Sequence, residues 1–126
     1  MTTTEVTEAI KVNIDGNRKV VLVPSAMVTV SGATVEIKGL LHIVATFAGE
    51  SAVHYYTILV EEWTAGSNTD EIRQKVERVL AKAKEKAEEY ASALRLLMTL
   101  NNVEINFRDG LASRNWLPIW LQKYIE

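Results

Sequence analysis

Cysteine is absent from this 126-residue chain, which excludes disulfides, thiol catalysis and thiolate metal sites. Proline occurs twice and glycine six times. No Pro-, Gly- or Ser-rich stretch forms a linker, so the chain reads as one domain over 1–126. An excess of charge of one sign is also missing. Fourteen Lys and Arg stand against sixteen Asp and Glu, a net charge of −2. That balance argues against a general polyanion binder and leaves room only for a local basic patch. A long apolar run is lacking as well. The most apolar stretch, Leu40–Ala48, is interrupted by His42 and Thr46 and falls far short of the roughly 20 residues of a membrane helix. Met1–Val6 carries neither the basic nor the apolar region of a secretory leader, so the expectation is a cytoplasmic protein with no membrane span.

What is present is core material and periodicity. Hydrophobic residues make up 48% of the chain, ample for a core that needs neither metal nor staple. Ile10, Val12 and Ile14 alternate with Lys11 and Asn13, which predicts a half-buried strand. Asp15-Gly16-Asn17 turns the chain, and Val20–Val23 returns until Pro24, which lacks a ladder donor, stops it. A second hairpin is expected at Ser31-Gly32. It would pair Val30 with Ala33 and Val28 with Val35, and gather Val28, Val30, Val35 and Ile37 on one face. Gly39 marks a bulge or bend. Leu40–Phe47 and Ala52–Val60 then read as central strands, because both of their faces are largely apolar.

Asn68 with Glu71 three residues on forms a capping box. From there Ile72, Val76, Val79, Leu80, Ala83, Ala87, Tyr90, Leu94, Leu97 and Met98 recur in steps of three and four, the pattern of one long amphipathic helix. Leu96 and Leu100 lie off this stripe, so the last turns are expected to be buried on two sides until Asn101-Asn102. Val103, Ile105 and Phe107 predict a short strand, Asp109-Gly110 a turn, and Asn115 with Pro118 the start of a terminal helix. The fold class is α+β: an antiparallel sheet built from N-terminal hairpins, packed by one long helix, with a short C-terminal strand and helix. The central hairpin needs a cover on each face. One is the helix; the other is the C-terminal segment, a curled sheet or a second subunit.

Three constellations carry possible chemistry. A turn at Gly49-Glu50 pairs Ala45 with His54 and His42 with Thr57, which places the two histidines on opposite faces and disfavours a shared metal. No phosphate loop, nucleophile elbow or HExxH pattern occurs, so no catalytic residue, metal site or cofactor is assigned. On the long helix, Lys75, Arg78, Lys82 and Lys86 fall within about a quarter-turn of one another. With Tyr55, Tyr56 and Trp63 they could line a single-stranded nucleic-acid groove. Glu85 and Glu89 stand where they would neutralise Lys82 and Lys86. His54, Tyr56 and Tyr90 could line a small-molecule pocket between helix and sheet. At the C-terminus, Trp116, Trp120 and Tyr124 form one helical stripe beside Leu117, Leu121 and Ile125. This face either caps the core or docks a second copy or another protein, since Trp and Tyr are favoured interface anchors. The leading expectation is a non-enzymatic binding or assembly protein, self-associating or docking a partner through the apolar sheet face and Trp116, Leu117, Trp120, Leu121 and Tyr124.

Overall fold

A computed structural model describes residues 1–50, 52–99, 111–113 (backbone only) and 117–125. The expected strand at 103–107, the turn at 109–110, the helix end at 101–102, the cap at 115 and Trp116 lie outside the described residues. The chain forms β1 (Thr2–Val6), β2 (Ile10–Asn13), β3 (Arg18–Ser31), β4 (Thr34–Phe47), β5 (Ala52–Ala65), α1 (Thr69–Thr99), β6 (Leu111–Ser113) and α2 (Ile119–Gln122). One antiparallel sheet runs β1–β3–β4–β5–β6, with β2 following β1 along the same flank of β3. The α+β architecture expected from the periodicities is the one observed. Among the described residues no helix is long and apolar enough to cross a membrane.

Pro24 does not stop a strand. β3 continues through it for 14 residues, paired with β4 throughout. The reason lies in where the missing donor points. The Pro24 carbonyl accepts from Thr7 N–H at 3.3 Å, so its backbone polar groups face the β1–β2 flank rather than β4. That flank is broken there, because β1 ends at Val6 and β2 begins at Ile10. The nitrogen without a proton sits opposite the gap and costs no ladder bond.

The second hairpin also departs from expectation. Val30 pairs with Val35 and Val28 with Ile37, so the two-residue turn is Gly32-Ala33. Gly32 has φ +61° and is the first central residue, a position where the primed turns of hairpins require positive φ. A shift of two residues preserves side-chain parity, so Val28, Val30, Val35 and Ile37 still share a face.

The strands buried on both faces are β3 and β4, not β4 and β5. Val20, Leu22, Val35, Ile37, Leu41 and Ala45 lie under α1, while Val21, Val23 and Val44 are buried on the opposite side. β5 fades toward solvent from Tyr56 onward: Tyr56, Thr57 and Leu59 are exposed. Its described pairing with β6 covers only Ala52–His54, and a bulge breaks its register with β4 between Gly39 and Leu40.

α1 is capped as its sequence demands. The Asn68 side-chain oxygen accepts the N–H groups of Asp70 and Glu71 at 3.0 and 3.2 Å, which satisfies two of the unpaired donors of the first turn. The stripe Val76, Val79, Ala83, Ala87 and Ala91 is buried. The end of the helix is not buried all round, however. Leu96 is 62% and Leu97 43% exposed, because the sheet supports α1 on one side and, among the described residues of the last turns, only Leu94 and Met98 reach the core.

Gly39 sets how closely the helix approaches. A Cβ built there would stand 2.7 Å from the Val79 carbonyl oxygen and 2.9 Å from the Val79 Cβ. Neither atom is the end of a flexible side chain, so the helix would have to lift. Gly39→Ala is expected to cost about 2 kcal/mol through overpacking, read as a lower urea midpoint. An unchanged midpoint would show that the helix does not rest on this glycine.

Candidate docking site

The second face of the sheet is covered by the C-terminal segment. Pro118 interrupts the chain and its carbonyl accepts the N–H groups of Leu121 and Gln122 at 2.9 and 3.2 Å, closing a short helical turn. Leu117, Leu121 and Ile125, at steps of four, are all buried and pack with Val21, Val23, Val44 and Val53. Gln122 Nε2 donates to the Leu117 carbonyl at 3.0 Å and ties the segment together. Trp120 and Tyr124 are only partly buried beside this cluster, and Ile119 is 87% exposed. The proposed interface residues therefore divide. Leu117 and Leu121 are used inside the chain, whereas Trp120 and Tyr124 keep surface to offer.

Behind Trp120 lies a polar chain that the sequence did not announce. His42 is 3% exposed. Its Nε2 is 2.8 Å from Ser25 Oγ and its Nδ1 2.7 Å from the Tyr55 hydroxyl, and the Trp120 ring meets it edge-on at 4.9 Å. Burial pushes the imidazole pKa down from 6.5 to about 4, because a charged ring would lose its water here. At neutral pH the ring has one N–H and one lone pair, so its two hydrogen bonds run in one direction along the chain. Ser25 has no exposed surface. In this arrangement the Ser–His pair is a buried, hydrogen-bonded core contact. Only the register could have foretold it: Ser25 pairs with Leu40 and Tyr55 with Val44, flanking His42 on one face.

In front of Trp120 is an open groove of about 600 Å³, lined by Thr2, Thr3, Thr4, Val6, Trp120, Lys123 and Tyr124. Its rim is β1. Val30 N–H donates to the Met1 carbonyl at 2.9 Å, the Met1 amino group reaches the Val30 carbonyl at 3.4 Å, and Thr7 N–H donates to Pro24. In an antiparallel ladder bonded positions alternate. Thr3 and Glu5 therefore turn inward to Val28 and Ala26, and the N–H and C=O groups of Thr2, Thr4 and Val6 face outward. Their side chains share the face of Ser25 and Met27, the face α2 covers, so an edge that no other described strand pairs and the groove beside it are built on the same three residues. Sequence reasoning passed over this strand, although the β-branched run Thr2-Thr3-Thr4 was its signal.

The cations of the basic ridge make contacts within the chain. Lys75 Nζ sits 3.6 Å above the Trp63 ring, with Arg78 at 5.4 Å. Arg78 also pairs with Glu61 at 3.0 Å, Lys82 with Glu85 at 3.7 Å and Lys86 with Glu89 at 3.1 Å. A face of Trp63 is thus already occupied by cations, and the remaining lysines have acidic neighbours. Tyr55 and Tyr56 point to opposite sides of the sheet, as strand alternation requires, and Tyr55 is held by His42. The expected pairings of Ala45 with His54 and His42 with Thr57 are observed, so the histidines lie on opposite faces. His54 is buried and edge-packed on Phe47 at 6.3 Å. It shares the α1 side of the sheet with Tyr56 and Tyr90, which are 38% and 39% exposed. Among the described residues no group of three or more His, Asp or Glu side chains could hold a metal.

No family model, curated protein or solved structure matches this chain.

The His42 environment has a measurable consequence. Unfolding returns the ring to a pKa near 6.5 from about 4 in the fold, so between these values the unfolded chain binds more protons. Native stability should therefore fall as pH drops from 6.5 toward 4, by about 3 kcal/mol from this group. Urea unfolding of wild type and His42→Gln across that window should show the slope reduced in the variant. Parallel pH profiles would contradict the assignment.

Proposed function

We propose that this chain is a non-enzymatic binding and assembly protein that docks an extended polypeptide segment along the free edge of β1. The observation that carries this reading is the outward set of backbone groups on Thr2, Thr4 and Val6 above a groove walled by Trp120 and Tyr124. Strand addition obtains affinity from main-chain hydrogen bonds and selectivity from pockets that receive alternate side chains. β1 supplies the first and the groove the second.

Two further features favour it. Exposed edges are ordinarily blunted by charged residues, proline or a bulge, and Thr2–Val6 has no proline, no bulge and a single charge, Glu5. Trp120 is also rigidly backed, with one side against His42 and the sheet, so little side-chain freedom would be lost when a partner covers the other side. The closed Ser25–His42 pair and the neutralised lysine ridge leave less support for catalysis or for nucleic-acid binding.

A random heptapeptide library displayed on phage supplies the probe. Enriched peptides should bind wild type and lose about tenfold or more in affinity to Thr4→Pro. That substitution removes an outward N–H without a ladder bond and should leave the circular dichroism spectrum unchanged. A lack of enrichment, or peptides indifferent to Thr4→Pro, would overturn the reading.

A further inference from the structure

We infer that the segment docked on β1 is β1 of a second copy, paired antiparallel about a two-fold axis through Thr4. This inference rests on the edge-docking reading and names its occupant. The argument comes from parity. Within β1 only Thr2, Thr4 and Val6 present outward backbone groups, so a self-pairing of this strand forms bonds only where outward residues meet outward residues. An axis through Thr4 sets Thr4 against Thr4, Thr2 against Val6 and Val6 against Thr2, which uses every outward group in about six interchain hydrogen bonds. An axis through Thr3 joins Thr2 to Thr4 and leaves Val6 unpaired. An axis through Glu5 leaves Thr2 unpaired and sets two carboxylates directly opposite, which is unfavourable.

Charge and shape agree with the first arrangement. Glu5 is the only charged residue of β1, and with the axis at Thr4 it faces Thr3 of the other copy. β-branched residues meet across the seam at each bonded pair, Thr with Thr and Thr with Val. The two-fold axis stands normal to the sheet, so both C-terminal segments lie on the same side. The two grooves then merge into one trough flanked by a Trp120 and a Tyr124 from each copy. α1 packs on β2, β3, β4 and β5, on the opposite side of the sheet from that trough.

The absence of cysteine makes a clean test possible. Single variants Thr3→Cys, Thr4→Cys and Glu5→Cys are oxidised and run without reductant. Directly bonded partners stand about 5.5 Å apart between Cα atoms, within disulfide reach, whereas diagonal partners are about 7–8 Å apart. Thr4→Cys should form a covalent dimer fastest and most completely. Sedimentation across the micromolar range should show wild type as a dimer and Thr4→Pro as a monomer. A monomeric wild type, or faster cross-linking at position 3 or 5, would overturn this inference. A dimer that survives Thr4→Pro but dissociates on Leu96→Glu with Leu97→Glu would overturn it too, by placing the interface on α1. Phage peptides that still depend on Thr4 would then leave the edge-docking reading standing with a foreign segment as its occupant. Failure of both would remove both.

Discussion

Everything in this molecule answers to one constraint: the β3–β4 ribbon carries apolar side chains on both of its faces, and both must be kept from water. Val20, Leu22, Leu41 and Ala45 point one way, and Val21, Val23 and Val44 the other. A solvated antiparallel sheet needs one cover; this one needs two. The 31 residues of α1 provide the first along the length of the ribbon. The second comes from nine described residues at the C-terminus, in which three aliphatic side chains reach the sheet and two aromatic rings spread over what remains.

The short second cover explains the polar features beneath it. Ser25, His42 and Tyr55 sit on the face that the C-terminal segment overlies. There the histidine satisfies both ring nitrogens within the chain instead of leaving either without a partner at a cost of a few kcal/mol. Toward the Gly32 turn the same face changes character: Thr29, Glu36, Lys38 and Thr64 replace the valines and need no cover. Thr2, Thr4 and Val6 stand at this boundary, which is why the groove there has an apolar wall and a polar rim.

Periodicity made the larger features legible. The three- and four-residue steps from Ile72 to Met98 defined α1 and its cap, and turn chemistry at Gly49 put the two histidines on opposite faces. Apart from the two-residue slip at the Gly32 turn, the failures share a physical source, since they depended on what lies beside an element rather than within it. Pro24 looks like a strand terminator unless one knows that its bare nitrogen faces the gap between β1 and β2. Leu96 and Leu97 look like core residues unless one knows that the sheet lies along one side of the helix only. Lys82 and Lys86 stand on a ridge, as the helical wheel requires, and their charges are answered within the helix by Glu85 and Glu89, as the spacing led one to expect. Trp63, read as a candidate base-stacking aromatic, has Lys75 over its ring. The docking edge was least legible of all, because edge character belongs to the order of the strands.

The close approach at Gly39 has a consequence for how this sequence can drift. With a hydrogen atom where other residues carry a side chain, and with Ala83, Ala87 and Ala91 facing the sheet, the helix rides at a height fixed almost by backbone alone. Hydropathy would rank these small residues as the least important of the core and Leu96 and Leu97 among the most. The geometry inverts that order. Gly39 has no room for a side chain and the three alanines are buried against the sheet, so these four positions form the bearing surface of the helix, while the exposed leucines carry little of the fold.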